Sequence, residues 1–271
     1  MDQYQSHYRD SKARSLTDRN EKYLGFDRLE AKAYQAVCWF IARQLTLEYP
    51  EDFEVNGEIG DFSLKSKNTE ELILFTKESD LKTWAQLSLE VQEDLAIWTM
   101  TAQDEWLSAI SILSPNHWAP EQKLGKSFAQ VHGPVAGIES INSRARQMVE
   151  TMIEKGPFQR FAWGVATDNR LNHHPIAPTT EDPQAWAGRG FDPLNPKLFV
   201  RTERQCLIPF PEVSCSLFTI RTYFEDCEII KADPRARSAL ISALESMSPE
   251  SRIYKGLKDS YQDILSWLQT N

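Results

Sequence analysis

The chain has 271 residues, 41% of them hydrophobic and 25% charged, a balance that suits one large globular domain or two small ones and does not make disorder the default. Thirty basic side chains against 39 acidic ones leave a net charge of −9, which disfavours nucleic acid and anionic membranes as partners. No run approaches the ~18 apolar residues that span a bilayer, and no basic-then-apolar leader opens the chain. Cys38, Cys206, Cys215 and Cys227 show no metal-ligand spacing, so a reduced, cytoplasmic setting is expected.

Residues 1–25 are polar and read as a frayed arm, and 26–271 read as a single domain whose first part, to about residue 94, is helical. Ala31, Tyr34, Val37, Cys38, Ile41 and Leu45 recur at helical steps over 27–48, and Pro50 closes that element. Turn signals and short alternating runs fill 52–67. Ser79 and Asp80 read as an N-cap for a helix carrying Leu81, Trp84, Leu87 and Val91. The period then changes, and residues 95–102 and 105–113 read as a β-hairpin. A loop around His117 and Trp118 follows, then Val131-His132-Gly133-Pro134-Val135, a helix over 138–155 and a strand over 158–167. The proline-rich stretch 168–196 reads as a long loop, functional or mobile. Strands over 198–208 and 214–223 and two further helices, the first starting at Asp233-Pro234, complete the chain. Consecutive hairpins predict an α+β fold with an antiparallel β-sheet and surrounding helices.

Several chemistries are missing. The chain has no GxGxxG, no GxxxxGK[ST], no HExxH, no GxSxG, no CxxCH and no cysteine set for an iron–sulfur cluster. The polar load on the last two strands is unusual. Alternation puts Arg201, Glu203 and Gln205 on one face with Arg204 on the other, and Arg221 with Tyr223 opposite Phe218, Ile220 and Thr222. These groups can pair as a buried network or line a polar pocket, and spacing alone favours pairing. Five histidines are candidate metal ligands. His7 falls in the polar arm, His173 and His174 in the proline-rich loop where solvation is the default, and His117 in a loop beside Trp118. His132 precedes Gly133-Pro134, where a bent backbone permits close approach. Composition and spacing stop there.

An ordered set of motifs goes further. Gln92-Glu93-Asp94-Leu95, Ser114-Pro115 with Trp118, Lys123-Leu124-Gly125-Lys126 and Val131-His132-Gly133-Pro134-Val135 resemble the haem-dependent oxidative N-demethylase alpha-subunit-like family. So do Arg160 with Trp163, the run Arg201-Thr202-Glu203-Arg204-Gln205-Cys206-Leu207, Phe218 to Tyr223, and Tyr254-Lys255-Gly256. The resemblance covers about residues 85–256. It implies a PAS-like fold that binds haem b non-covalently. It also implies oxidative removal of a methyl group from a small secondary amine such as dimethylamine, giving a primary amine and formaldehyde. Oxygen is then a co-substrate, and electrons come from a separate NADPH-dependent flavin and iron–sulfur reductase, which fits the missing motifs.

Carried over by motif, His132 is the expected iron ligand, its second nitrogen fixed by a hydrogen-bond acceptor. Arg201, Arg204 or Arg221 is expected to donate to a haem propionate or to bound oxygen, with Trp163 also near the cofactor. Glu203 is expected to pair with a protonated amine and Tyr223 to hydrogen-bond near the pocket. This chain departs from the family pattern at Ala162 (usually Asn), at Cys206 (usually Thr), at Gly133 (often Ala) and in the connection Ile208-Pro209-Phe210-Pro211, which is usually shorter. A haem-binding sensor without turnover, or an interaction module without haem, would keep the same fold.

Overall fold

The polar N-terminal segment is ordered. In the computed structural model, which describes residues 5–78, 80–135, 143–187 and 190–270, it forms helix α1 (Gln5–Arg19). Hydrophobic periodicity misses this helix because a cation anchors it. The Lys12 ammonium is fully buried and donates to the carbonyls of Ser88 and Val91, both at 2.9 Å, and of Glu93 at 2.5 Å. Burial pushes the Lys12 amine down to about 8, against the pull of Asp94 and Glu93. Asp94 is itself pushed up to about 6 by burial, although Lys12 and the backbone N–H groups of Leu113 and Ser114 oppose the shift. The two buried charges join α1 to the start of the main sheet.

Strand β1 (Leu24–Phe26) and helix α2 (Ala31–Glu48) follow. The stretch read as helical to residue 94 also holds a second sheet. Strands β2 (Phe53–Glu58), β3 (Asp61–Ser66) and β4 (Leu72–Phe75) pair antiparallel in chain order. They are short, and only one face is apolar: Phe53, Phe62, Leu64, Ile73 and Phe75 pack into the cluster beneath α2, while Leu72 and Leu74 point outward. Helix α3 (Leu81–Glu90) is capped by the Asp80 carboxylate, which accepts from the Thr83 N–H at 2.8 Å. The second residue of the expected cap, Ser79, lies outside the described residues.

The predicted hairpin is β5 (Asp94–Met100) and β6 (Glu105–Ser111). Short helix α4 (Phe128–His132) and helix α5 (Ala145–Glu154) come next; the first part of the helix expected over 138–155 reaches outside the described residues. Then come β7 (Phe158–Ala166), the short α6 (Pro183–Ala187), β8 (Phe199–Phe210) and β9 (Cys215–Asp226). Helices α7 (Cys227–Ala232), α8 (Pro234–Glu245), α9 (Pro249–Tyr254) and α10 (Tyr261–Gln269) end the fold. The main sheet has six strands in the order β1-β6-β5-β9-β8-β7, antiparallel throughout. The molecule is α+β, as expected.

Side-chain alternation gives this sheet two differently covered faces. On the inner face Ala96, Trp98 and Ile110 pack with Phe128 of α4 and with Val149, Met152 and Ile153 of α5. On the outer face Leu95, Ile97 and Leu217 pack with α2, α3 and the small sheet. The C-terminal helices pack against Trp163, Val165 and Val200 at the far end of β7 and β8.

Lys12→Met keeps the buried stem but leaves three carbonyls without their donor and Asp94 without its nearby cation. It is expected to cost about 3–5 kcal/mol, the range for removing one partner of a buried charge pair. Chemical denaturation checks this; a loss within about 0.5 kcal/mol, the size of an ordinary surface change, would show that α1 is not anchored in this way.

Candidate functional site

His132 ends α4, and both ends of that helix are pinned from outside. At its start the buried Glu105 carboxylate accepts the Phe128 N–H at 2.9 and 3.1 Å, and Ser127 with Gln130 forms a capping box. At its end Lys123 Nζ donates to the Val131 carbonyl at 2.8 Å. The imidazole stacks on the Phe128 ring at 4.0 Å, with the Trp98 ring at 6.4 Å. Its Nδ1 lies 2.9 Å from the Phe128 carbonyl oxygen. A carbonyl only accepts, so Nδ1 carries the proton and Nε2 keeps its lone pair. Burial lowers the His132 pKa, the Phe128 carbonyl works against that, and Arg160 and Lys123 add to the lowering. The ring is therefore neutral at pH 7, with one nitrogen open to a metal. Gly133 is not a bend: at φ −46° it continues the helical turn, and an added Cβ would come no closer than 3.4 Å to the Ala129 carbonyl. An alanine fits there.

The inner face next to His132 carries half-buried apolar side chains, among them Leu207, Phe218 and Ile220, with Trp118 and Val131 beside them. Next to these lies a polar chain along β7, β8 and β9. Arg160 Nε donates to Gln205 Oε1 at 2.7 Å, and Gln205 Nε2 to Glu203 Oε2 at 2.8 Å. The other Glu203 oxygen accepts from Arg201 Nη1. Arg201 Nη2 reaches the Ser114 carbonyl and Thr222 Oγ1, both at 3.1 Å. Lys255 closes the edge by donating to the Trp163 carbonyl; burial lowers its pKa, and the nearby Glu203 opposes this. Three cations, Arg160, Arg201 and Lys255, thus stand against the single carboxylate of Glu203. Sequence reading gave no role to Arg160, Gln205 or Lys255, although Arg160 and Lys255 fall inside the family motifs.

The structure does not bring all the expected residues together. His132, Arg201 and Glu203 belong to the inner face. Arg204, Arg221 and Tyr223 belong to the outer one: Arg204 pairs with Glu93 at 3.0 Å, and the Arg221 guanidinium lies over the rings of Tyr223 and Tyr8 at 4.9 and 5.7 Å. Trp163 also points outward, into the cluster with the C-terminal helices. No group of three or more His, Cys, Asp or Glu side chains could hold a metal ion among the described residues. A haem needs only one such ligand from the chain.

The loop histidines are buried rather than solvated. His173 and His174 are each 1% exposed. His173 Nε2 meets Asp168 Oδ1 at 2.8 Å, and His174 Nε2 meets Glu121 Oε2 at 3.1 Å. Carboxylate partners make such burial affordable, and spacing alone does not reveal them. The His117 ring stacks on His173 at 4.9 Å, and the two loops share a bridge between Asn116 and His173. Burial raises Asp168, but the hydrogen bonds from His173 and Arg170 outweigh it and hold the carboxylate well below its usual range.

Residues 1–265 match the model of a family described as haem-dependent oxidative N-demethylase, alpha subunit-like. The chain belongs to this family. The match extends well beyond residues 85–256 and includes α1, the segment that sequence reading left as an arm. Members of the haem-dependent oxidative N-demethylase alpha-subunit-like family are by that description haem-dependent, and an alpha subunit implies a further component. No curated protein matches the chain. Among the described residues no helix is long and apolar enough to cross a membrane. A neutral imidazole beside half-buried apolar side chains and a chain of cationic groups is a set of residues that suits a flat apolar macrocycle bearing two carboxylates.

Burial lowers the His173 pKa below its ordinary 6.5, and its hydrogen bond to Asp168 only partly offsets this. The unfolded chain then binds the His173 proton more readily than the folded one, so this residue costs stability as the pH falls through 6.5. His173→Gln is expected to lose less stability between pH 7 and 5 than the parent chain does. Parallel curves from denaturant titrations would show that His173 is not held neutral.

Proposed function

We propose that the chain binds haem b non-covalently through His132 Nε2, on the inner face of a PAS-like sheet, and oxidatively demethylates a small secondary amine of the dimethylamine type. The products are the primary amine and formaldehyde. The observation that carries this reading is the His132 tautomer, fixed by the Phe128 carbonyl beside a half-buried apolar floor. The sheet supports the PAS-like part. Counted from β5, its five principal strands run 2-1-5-4-3, and α4 and α5 are inserted between the second and third of them, over the inner face.

Haem held there would supply oxygen activation, and its electrons would come from a separate cytoplasmic NADPH-dependent flavin and iron–sulfur reductase. The other roles belong to this chain. Arg160, Arg201 and Lys255 offer N–H donors to carboxylates at the edge of the pocket. Glu203, ion-paired with Arg201, offers its carboxylate to the protonated amine. Gln205 links Glu203 to Arg160 and fixes the carboxylate's orientation. The apolar floor excludes water around that ion pair, which strengthens it.

Protein purified with added haem is expected to show a near-stoichiometric Soret band, and His132→Ala is expected to abolish it while the circular dichroism spectrum stays native. Full haem content in that variant would move the ligand elsewhere. No Soret band in the parent chain would sink the haem reading. Glu203→Gln is expected to keep its haem and to bind dimethylamine about ten- to a hundredfold more weakly, the value of one charge-assisted contact. An unchanged amine titration would reject this role for Glu203.

A further inference from the structure

The helix that carries His132 is too short to keep its shape alone. A single helical turn fixes about six backbone dihedrals for one hydrogen bond, so α4, at five residues, depends on contacts from outside. Phe128 gathers them. Its ring lies in the inner core, 5.5 Å from the Trp98 ring and 4.0 Å from the His132 imidazole. Its carbonyl accepts from His132 Nδ1 at 2.9 Å, and its N–H is held by Glu105 of β6. The imidazole thus takes its place and its tautomer from Phe128, and Glu105 secures the other end of the same residue.

A carboxylate is a costly choice for that task. Both Glu105 oxygens accept the same N–H, at 2.9 and 3.1 Å, in a residue that is 7% exposed. Burial pushes the Glu105 carboxyl up and Asp104 adds to this, while the Phe128 N–H and Arg146 oppose it. The Arg146 guanidinium is engaged elsewhere, donating to the Thr101 and Ala102 carbonyls at 2.7 and 2.9 Å. A neutral oxygen would satisfy one N–H at a lower desolvation cost, as Ser127 and Gln130 do for each other's N–H groups in the same turn. What the carboxylate adds is a charge-assisted bond, roughly twice as strong as a neutral one, and so a stiffer hold on Phe128.

We infer that Glu105 is a positioning residue for His132: by holding the Phe128 N–H it keeps the Phe128 carbonyl aimed at Nδ1 and so reserves Nε2 as the ligand atom. The inference rests on the reading of His132 as the haem ligand, but the geometry can be tested without haem.

Imidazole nitrogen-15 shifts of the haem-free protein report the tautomer, with the His132 signals identified by their loss in His132→Gln. The parent chain is expected to show Nδ1–H alone, and Glu105→Ala a mixture of both tautomers. The same variant is expected to pass haem to excess apomyoglobin about ten- to a hundredfold faster, the usual effect of removing an outer partner of a metal ligand. Glu105→Gln keeps the volume and one acceptor oxygen, and should restore the tautomer and bring the transfer rate to within about threefold of the parent. A single Nδ1–H tautomer in Glu105→Ala would overturn the positioning role, and so would faster haem loss without a change of tautomer. Where Glu105→Ala fails to fold, hydrogen exchange of the Phe128 amide in the parent chain decides. Exchange as slow as in the central strands supports the hold, and exchange as fast as at an open helix end overturns it. A parent chain without a Soret band would sink the haem reading and leave the tautomer result to stand by itself.

Discussion

The antiparallel pairing of β8 with β9 is the constraint on which the rest of the molecule depends. Twelve residues of each strand face each other one for one, from Phe199 opposite Asp226 to Phe210 opposite Cys215. An uninterrupted ladder fixes the parity of every side chain. Arg201, Glu203 and Gln205 are thereby given to the inner layer, and Arg204, Cys206 and Ile208 to the outer one. The helices then decide what each face can become. The inner face lies under α4 and α5, with His132 at its wall. The outer face lies against α2, which leaves a chamber instead of a packed seam.

Electrostatics separates the two faces further. On the inner one, Glu203 is held between Arg201 and Gln205, so the carboxylate is oriented from both sides, and Arg160 is joined to it through Gln205. On the outer one, Arg204 and Arg221 are adjacent, Glu93 pairs with Arg204, and Glu90 pairs with Arg9. The chain as a whole is acidic, at −9, yet β8 and β9 carry arginines on both faces of the sheet. Net charge describes how the surface meets large partners and says little about what a pocket accepts.

Much of the fold is legible in the sequence because its signals are apolar and periodic. The hairpin β5–β6, the long strands β8 and β9 and helix α2 are all visible in this way. What stays hidden is stabilised by polar contacts between distant residues. Helix α1 depends on one ammonium reaching three carbonyls some eighty residues away, and no hydrophobic stripe marks it. The burial of His173 and His174 depends on Asp168 and Glu121, the second of them far off in the chain. At the candidate site, a period of two correctly sorts Arg201, Glu203 and Gln205 from Arg204. It cannot say which side His132 occupies, because that follows from α4 and its two external pins. Sequence reading groups Arg204, Arg221, Tyr223 and Trp163 with His132, whereas the sheet places their side chains on the opposite face.

The turn between β8 and β9 has a consequence for sequence variation. It is a single 3-10 turn, Pro211–Val213, closed by Ser214 in the left-handed region at φ 51°. Inserting one residue in β8 between Arg204 and this turn would shift the pairing by one, sending Arg204 inward and Glu203 outward. Length differences between relatives are therefore tolerable only at the tip. A hairpin end can gain or lose residues while both linings stay in phase, so drift in length at this tip is compatible with an unchanged division of labour between the faces.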